Sequence, residues 1–295
     1  MTLVLPGPSY KKEDTIKALE NTNNVLYGTP TMHIDICNDL KKLFPEFPKL
    51  REACKDFKVV VSGGAICTPA LFKDIYNIFE CKVQSAYGLT ETSPICFTNT
   101  QNDTFEQRTT TVGFVADHLE VKIVDKEGRM VNFGESGEVW FRSFGNLLEY
   151  WGDEKKTKEA ITSSNWFKSG DLMVLTEDGY GTIVGRIKDV IIRGGENIFP
   201  SEIEKFLLNH PDILDAQVFG VKDQRMGEEV AVAVKINKSS TMNETTLKEY
   251  CKGKISHFKI PRYVRFVDEY PTTPTGKIKK YVLKETLEKE LDQKL

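Results

Sequence analysis

The sequence has few of the residues that build metal centres or disulfide frameworks. It contains six cysteines and four histidines in 295 residues, and no two cysteines form a C-x-x-C pair. Zinc sites and disulfide scaffolds need such residues at close, regular spacing, so neither is predicted. Reduced thiols in an intracellular compartment are the expectation that follows.

Charge of one sign and long apolar runs are also missing. The 40 basic and 43 acidic residues are interspersed and give a net charge of -3, so no basic field is present for nucleic acid or an anionic membrane. No apolar run reaches the length that crosses a bilayer, and the first residues lack the regions of a signal peptide. We therefore predict neither a nucleic-acid partner nor a membrane span, and the oligomeric state stays open.

The composition itself is that of a globular protein. With 40% hydrophobic and 28% charged residues, the chain can bury a core, most simply as two or more units. Residues 2–6, TLVLP, show the pattern of a buried strand. A chain that opens inside a sheet leads us to expect a truncated protein.

The pattern along the chain divides it into three parts. Residues 1–109 alternate short apolar strands with amphipathic helices, for example a strand at 59–61 and a helix capped by Thr68, which is typical of α/β structure. Residues 110–188 have short alternating strands broken by glycine turns, which predict a small β-barrel or a distorted sheet. Residues 189–295 mix helices and strands and predict a compact α+β domain.

The tetrapeptide Ser62-Gly63-Gly64-Ala65 follows the strand at 59–61. Because glycine has no Cβ, a flat ring could lie against bare backbone here. A plain strand-to-helix turn is the commoner reason for such a tetrapeptide.

A second candidate is the run Tyr87-Gly88-Leu89-Thr90-Glu91. It offers an aromatic ring for stacking on a base, a hydroxyl for a phosphate oxygen and a carboxylate for Mg²⁺ within five residues. The end of a core strand explains the same residues equally well.

Three charged residues further along complete the candidates. Asp171 follows a glycine turn, where its carboxylate either caps the turn or accepts hydrogen bonds from two ribose hydroxyls. Arg186, fifteen residues later, has a planar guanidinium that suits a phosphate or ribose oxygen. Lys277 follows a proline- and threonine-rich loop, where a solvated charge is the ordinary interpretation.

Taken together, these motifs resemble a known family. SGGA, YGLTETSP, WFKSGDL, GRIKDVIIRGGENIFPSEIE and PTGKIKK occur in the order and approximate spacing of the adenylate-forming superfamily of acyl-CoA synthetases, luciferases and peptide-synthetase adenylation domains. The resemblance extends over essentially all 295 residues, and stretches such as CKGKISHFKIP are most similar to mitochondrial medium-chain fatty acid ligases. The resemblance implies part of an AMP-binding domain at 1–109, a small β-barrel-like subdomain at 110–188 that ends at a hinge, and a mobile α+β domain at 189–295.

The resemblance also implies a role for each matching residue. Gly63, Gly64, Ala65 and Tyr87 match residues that hold adenine, with Ile183 beside the base. Thr90 matches a residue that binds the α-phosphate, and Glu91 one that coordinates Mg²⁺.

Asp171 matches the ribose-binding aspartate and Arg186 an arginine near ribose and phosphate. Lys188 falls at the hinge, Gly195 in the loop along the pantetheine tunnel, and Lys277 at the lysine that stabilises charge during adenylate formation. Residues 27–33, YGTPTMH, resemble the stretch that lines the acyl pocket.

The resemblance implies a reaction that joins a medium-chain fatty acid to coenzyme A while ATP is converted to AMP and pyrophosphate. It also implies a mitochondrial location. The sequence departs from the family pattern in one large respect: no Ser/Thr/Gly-rich phosphate loop precedes YGTPT, and no G-x-x-x-x-G-K-[ST] replaces it. The isolated chain is therefore expected to be impaired in adenylate formation.

A non-catalytic remnant that binds AMP or acyl-CoA is the first alternative function. An adenylation module of a peptide synthetase is the second alternative, which is disfavoured because no carrier domain follows.

Overall fold

The computed structural model describes residues 4–20, 25–65, 67–273 and 277–292. Its internal contacts divide the chain into two compact units. The first is Met1–Ser169 with Val174–Ile183, and the second is Gly170–Met173 with Val184–Leu295. The three-part division made from the sequence stays a prediction. Among the described residues, no helix combines the length and the apolar character needed to span a bilayer.

The first unit starts with helices that alternate with three parallel strands. Their bounds are α1 (Lys12–Leu19), β1 (Val25–Gly28), α2 (Pro30–Leu43), α3 (Pro48–Lys55), β2 (Val59–Gly63), α4 (Pro69–Phe79) and β3 (Lys82–Tyr87). Strands β4 (Phe97–Thr98) and β5 (Phe114–Val115) extend the sheet antiparallel, in the order β1-β2-β3-β4-β5, with α5 (Phe105–Thr110) between them in sequence.

Local sequence explains why α4 begins where it does. The side chain of Thr68 accepts a hydrogen bond from the backbone N–H of Leu71 at 3.2 Å, and Pro69 occupies the first turn, where its missing N–H costs nothing. The helix is amphipathic, as its pattern predicts, since Leu71, Ile75, Ile78 and Phe79 are buried in one core cluster with residues of strands β2 and β3.

The predicted opening strand is wrong over the part that the structure describes. Val4 and Leu5 belong to no strand and are 49% and 75% exposed. An apolar run becomes a strand only where another strand supplies hydrogen-bond partners. Among the described strands, β1 at the edge of the sheet pairs only with β2, so residues 4 and 5 do not extend this sheet.

A four-stranded sheet follows, in the order β6-β7-β8-β9. Its strands are β6 (Glu120–Val124), β7 (Ser136–Arg142), β8 (Phe167–Leu175) and β9 (Gly181–Arg186), with α6 (Glu154–Ala160) between β7 and β8 in sequence. Of the barrel and the distorted sheet that the sequence left open, the structure has an open sheet over the described residues, because β6 and β9 remain its two edges.

The second unit holds the α+β fold predicted for the end of the chain. Its further elements are β10 (Ile191–Arg193), β11 (Glu196–Ile198), α7 (Pro200–Leu207), β12 (Ile213–Asp223), β13 (Gly227–Ile236), α8 (Glu244–Cys251), β14 (Tyr263–Phe266) and α9 (Lys280–Asp292). The sheet order is β11-β10-β13-β12, and β14 pairs parallel with β13. Buried residues on α7 and α8 pack on one face of this sheet, and Leu287 of α9 belongs to a second cluster with Phe219 and Ala231.

Candidate functional site

The carboxyl ends of the three parallel strands meet at one edge of the first sheet. The register pairs Gly28 of β1 with Ser62 of β2, and Gly63 of β2 with Ala86 of β3. In open α/β sheets this edge is where ligands bind. The structure therefore brings together two of the candidate motifs, SGGA and the start of YGLTE.

Glycine is required at both positions of the SGGA turn, for different reasons. A Cβ on Gly63 would lie 2.6 Å from the carbonyl oxygen of Ala86, which is too close for any side chain. Gly64 has a φ of +86°, in the left-handed region that side chains avoid. Gly64 and Ala65 are exposed, so the turn presents bare backbone at the strand ends.

His33 lies in the first turn of α2 and is almost fully buried. Its Nδ1 is 3.2 Å from the hydroxyl of Ser62, and among the described residues its Nε2 has no hydrogen-bond partner. Burial lowers the pKa of His33 to about 4, so the ring is neutral at physiological pH. This places the end of the YGTPTMH stretch against the SGGA strand, a contact that sequence spacing could not show.

Tyr87 ends β3 and is half-buried. Its ring centroid lies 6.3 Å from those of Phe97 and Phe141, both of which are fully buried. The aromatic ring thus packs on an aromatic cluster, which fixes its orientation. Both interpretations made from the sequence are compatible with this position at the end of a strand.

Thr90 and Glu91 lie in a 3-10 turn, Thr90–Thr92, directly after that strand. Thr90 is exposed and Glu91 half-buried. The hydroxyl of Tyr150 donates a hydrogen bond of 2.9 Å to Oε1 of Glu91. Burial first, and then the neighbouring Glu91 carboxylate, raises the pKa of Tyr150 to about 12. Tyr150 was not a candidate from the sequence, because 59 residues separate it from Glu91 and no local motif marks it.

Glu91 is the predicted Mg²⁺ ligand, and the donors here fit that ion. Within the part of the chain that the structure describes, no group of three or more His, Cys, Asp or Glu side chains could hold a metal. Mg²⁺ is usually bound through one or two carboxylates together with substrate phosphates and water, so the single carboxylate of Glu91 is compatible with such a site.

Asp171 and Arg186 form an ion pair within the second unit. Nε of Arg186 donates to Oδ1 of Asp171 at 2.9 Å, and the two residues lie on β8 and β9. The aspartate side chain is 4% exposed and the arginine side chain 49%. Strands β8 and β9 thus bring together two residues that are fifteen positions apart in sequence. Ile183 is half-buried on β9, in the first unit.

Gly195 belongs to a tight turn between β10 and β11. Arg193 pairs with Glu196, and the two glycines between them have φ values of +59° and +90°, as a two-residue hairpin of type I′ requires. Gly195 is exposed, with no atom within 4 Å of the position of a Cβ. Lys188, the predicted hinge residue, is exposed in the 3-10 turn Ile187–Asp189 of the second unit.

Lys277 lies at the end of a loop of which residues 274–276 are outside the described residues. Its backbone exchanges hydrogen bonds with Thr273: N–H of Lys277 donates to Oγ1 at 3.0 Å, and N–H of Thr273 donates to the Lys277 carbonyl at 2.8 Å. The lysine is exposed. The backbones of Thr273 and Lys277 are therefore held together, while the lysine is exposed to solvent.

The comparisons with known proteins extend over nearly the whole chain. Residues 1–151 match the family of AMP-binding enzymes, and residues 202–277 match the AMP-binding enzyme C-terminal domain. The mitochondrial medium-chain acyl-CoA ligase ACSF2 of Danio rerio is 43% identical over 293 residues, which is 98% of this chain and 47% of the relative. The Homo sapiens protein of that name is 39% identical over 297 residues, which is 99% of this chain and 47% of the relative.

Solved structures agree with this similarity. ATP-bound MatB from Rhodopseudomonas palustris has a TM-score of 0.84 and 27% identity, over 95% of this chain and 54% of that one. The anthranilate CoA ligase AuaEII in complex with anthranoyl-AMP has a TM-score of 0.82 and 26% identity, over 99% and 55%. The chain thus spans about half the length of the proteins it matches, and the predicted resemblance and α/β fold are confirmed.

Proposed function

Because the chain belongs to the family of AMP-binding enzymes, we propose that it carries part of an acyl-CoA ligase for medium-chain fatty acids. In the first half-reaction the fatty acid carboxylate attacks the α-phosphorus of ATP, and pyrophosphate leaves. In the second, the thiolate of coenzyme A attacks the acyl carbonyl carbon, and AMP leaves. The observation that carries the proposal is identity of 39–43% along almost the entire chain with relatives named as such ligases. Their name also supports a mitochondrial location.

The edge formed by the parallel strands suits the adenine of the nucleotide. Gly63 and Gly64 leave the backbone bare, and exposed Ala65 continues the same surface. A planar base can lie against such a turn, since no Cβ holds it away. Tyr87, whose ring is held by Phe97 and Phe141, supplies an aromatic face for the base. Ile183 is proposed as the apolar contact beside it.

Thr90 and Glu91 suit the phosphate chemistry. The exposed hydroxyl of Thr90 can donate to an α-phosphate oxygen, and Glu91 would hold Mg²⁺. When bound, Mg²⁺ would neutralise part of the charge on the phosphate oxygens. Thr90 orients the α-phosphate for in-line attack and needs no reorganisation to do so, because it is fixed at the start of a hydrogen-bonded turn.

In the second unit, the ion pair between Asp171 and Arg186 suits a ribose. The buried carboxylate can accept hydrogen bonds from two vicinal hydroxyls, while the guanidinium orients one of its oxygens and keeps further N–H groups for ribose or phosphate. Lys277 is proposed to stabilise charge in adenylate formation. Gly195 is proposed for the pantetheine path in thioester formation, and Lys188 as the hinge between the two steps.

The proposal is tested by calorimetric titration of the 295-residue chain with AMP. Asp171→Asn is expected to weaken binding about 10- to 100-fold, because a hydrogen bond to a charged group is lost. Asp178→Asn is the matched control, since that carboxylate is exposed in the turn between β8 and β9. A non-hydrolysable decanoyl-adenylate analogue should bind at least 10-fold more tightly than AMP, because each buried CH₂ adds about 0.8 kcal/mol. Absence of AMP binding by the unaltered chain would refute the proposal.

A further inference from the structure

The turn that carries Glu91 is fastened to a distant part of the first unit. Residues 143–150, called the strap below, follow strand β7. The backbone N–H of Leu147 donates to the carbonyl oxygen of Glu91 at 2.8 Å, and the hydroxyl of Ser93 donates to the carbonyl oxygen of Gly145 at 2.7 Å. The third connection is the 2.9 Å hydrogen bond from the Tyr150 hydroxyl to Oε1 of Glu91. Two bonds thus hold the turn, and one holds the carboxylate itself.

Tyr150 is in turn fixed by the helix that follows it. Its backbone N–H donates to the hydroxyl of Thr157 at 2.9 Å, and Nζ of Lys156 lies 4.1 Å from the centroid of its ring. The helix that carries both partners, α6, is capped by Asp153, whose side chain accepts from the backbone N–H of Lys156 at 2.9 Å. The phenol is therefore held in place before any ligand arrives.

The two oxygens of the Glu91 carboxylate differ as a result. Oε1 accepts the hydrogen bond from Tyr150, whereas no donor or cation within the described ranges is paired with Oε2. A glutamate side chain has three rotatable bonds, and a hydrogen bond to one oxygen removes most of the freedom of the other. Ligating carboxylates in metal sites are commonly hydrogen-bonded in this way, and loss of such a partner typically costs 10- to 100-fold in metal affinity.

We propose that Tyr150 is a positioning residue that holds the Glu91 carboxylate so that Oε2 binds the divalent cation of the bound nucleotide. The inference rests on the proposed function and adds to it a residue outside every motif. Tyr150 acts through Glu91 and touches neither nucleotide nor metal. Its hydroxyl should therefore matter for the cation and not for the adenosine part of the ligand.

The test measures Mn²⁺ binding to the 295-residue chain by electron paramagnetic resonance, in the presence of ATP. Tyr150→Phe keeps the ring over Lys156 and removes the hydroxyl, and should weaken Mn²⁺ binding 10- to 100-fold. Metal-free AMP binding, measured by calorimetry, should stay within twofold. Tyr180→Phe is the matched control, because its hydroxyl donates to Oδ1 of Asp103 at 2.8 Å in the same unit. It loses an equivalent bond and should leave Mn²⁺ binding unchanged.

A second substitution keeps the test decisive if Tyr150→Phe perturbs the fold. Tyr150→p-aminophenylalanine retains an N–H donor and should restore Mn²⁺ affinity to within about threefold of the unaltered chain. Unchanged Mn²⁺ affinity in Tyr150→Phe, an equal loss in Tyr180→Phe, or no recovery with p-aminophenylalanine would each overturn the inference. A chain that binds AMP but no Mn²⁺ would overturn it too, through the role of Glu91, whereas a chain that binds no AMP contradicts the proposed function itself.

Discussion

Asp171 and Arg186 form an ion pair with one buried and one solvent-facing member. Nε of Arg186 lies 2.9 Å from Oδ1 of Asp171. The arginine side chain is 49% exposed and the aspartate side chain 4%. A buried carboxylate needs a partner to replace the water it has lost, whereas a half-exposed arginine keeps part of its hydration. The pair is therefore asymmetric. Asp171 needs Arg186 as a replacement for lost water, whereas Arg186 can still be hydrated without Asp171.

Arg186→Ala should consequently destabilise the chain. The expected loss is about 1–3 kcal/mol in the free energy of unfolding, which is the cost of a buried polar group that loses a partner. Arg186→Lys should recover part of it, because one N–H donor can still reach the carboxylate. Urea unfolding followed by circular dichroism measures both. Arg225→Ala, at an exposed arginine of the same unit, should change stability by less than about 0.5 kcal/mol; an equal loss there would contradict the asymmetry.

A comparison of Gly64→Ala with Gly134→Ala separates the cost of backbone strain from the loss of contact with the ligand. The φ of +86° makes any side chain costly, by about 1–2 kcal/mol. Gly134→Ala should cost the same, since Gly134 has a φ of +84° and no atom within 4 Å of a Cβ. Only Gly64→Ala should weaken AMP binding, which calorimetry measures. If both variants bind AMP as the unaltered chain does, the adenine does not lie on the SGGA turn.

The neutral, buried His33 predicts a pH dependence of stability. Its pKa in the folded protein is about 4, below the ordinary 6.5, so the unfolded chain binds the proton more readily. Stability should be fully present above pH 6.5 and should fall as the pH drops towards 4. Between pH 7 and pH 5 the loss from this group is about 2 kcal/mol.

His33→Phe should remove this part of the slope, which urea unfolding at several pH values between 5 and 7 reveals. Ile36→Val in the same helix is the control, because a lost core methylene lowers stability by about 0.5–1.5 kcal/mol at every pH alike. A variant slope equal to that of the unaltered chain would show that His33 does not stay neutral on folding.

The cysteines should be slow to react in the native protein. All six are free, and burial raises the pKa of every thiol, to about 12 for Cys37 and Cys54 and about 11 for the others. Little thiolate is then present at pH 8, and the thiolate is the nucleophile. Iodoacetamide followed by intact mass spectrometry should show slow labelling that becomes rapid in urea. Fast, stoichiometric labelling of one cysteine in the native chain would contradict this.

Much of the fold could be predicted from local pattern. The cap at Thr68, the inner face of α4 and the strands and helices of the second unit follow from hydrogen-bonding side chains and from the periods 2 and 3.6 of apolar residues, which act over a few residues. The exposed Val4 and Leu5 show the limit, because an apolar run needs a neighbouring strand that local pattern does not supply.

The candidate residues themselves could be named from the sequence, since glycines at a strand end, a hydroxyl beside a carboxylate and an Asp–Arg pair across a hairpin are short-range signals. What only the tertiary structure decided is which of them meet and what holds them. Packing of α2 against β2 places His33 beside Ser62, and the strap brings Tyr150 to Glu91 across 59 residues. Such contacts depend on the packing of whole elements, whose free energy is spread over many residues and leaves no mark in the spacing of any two.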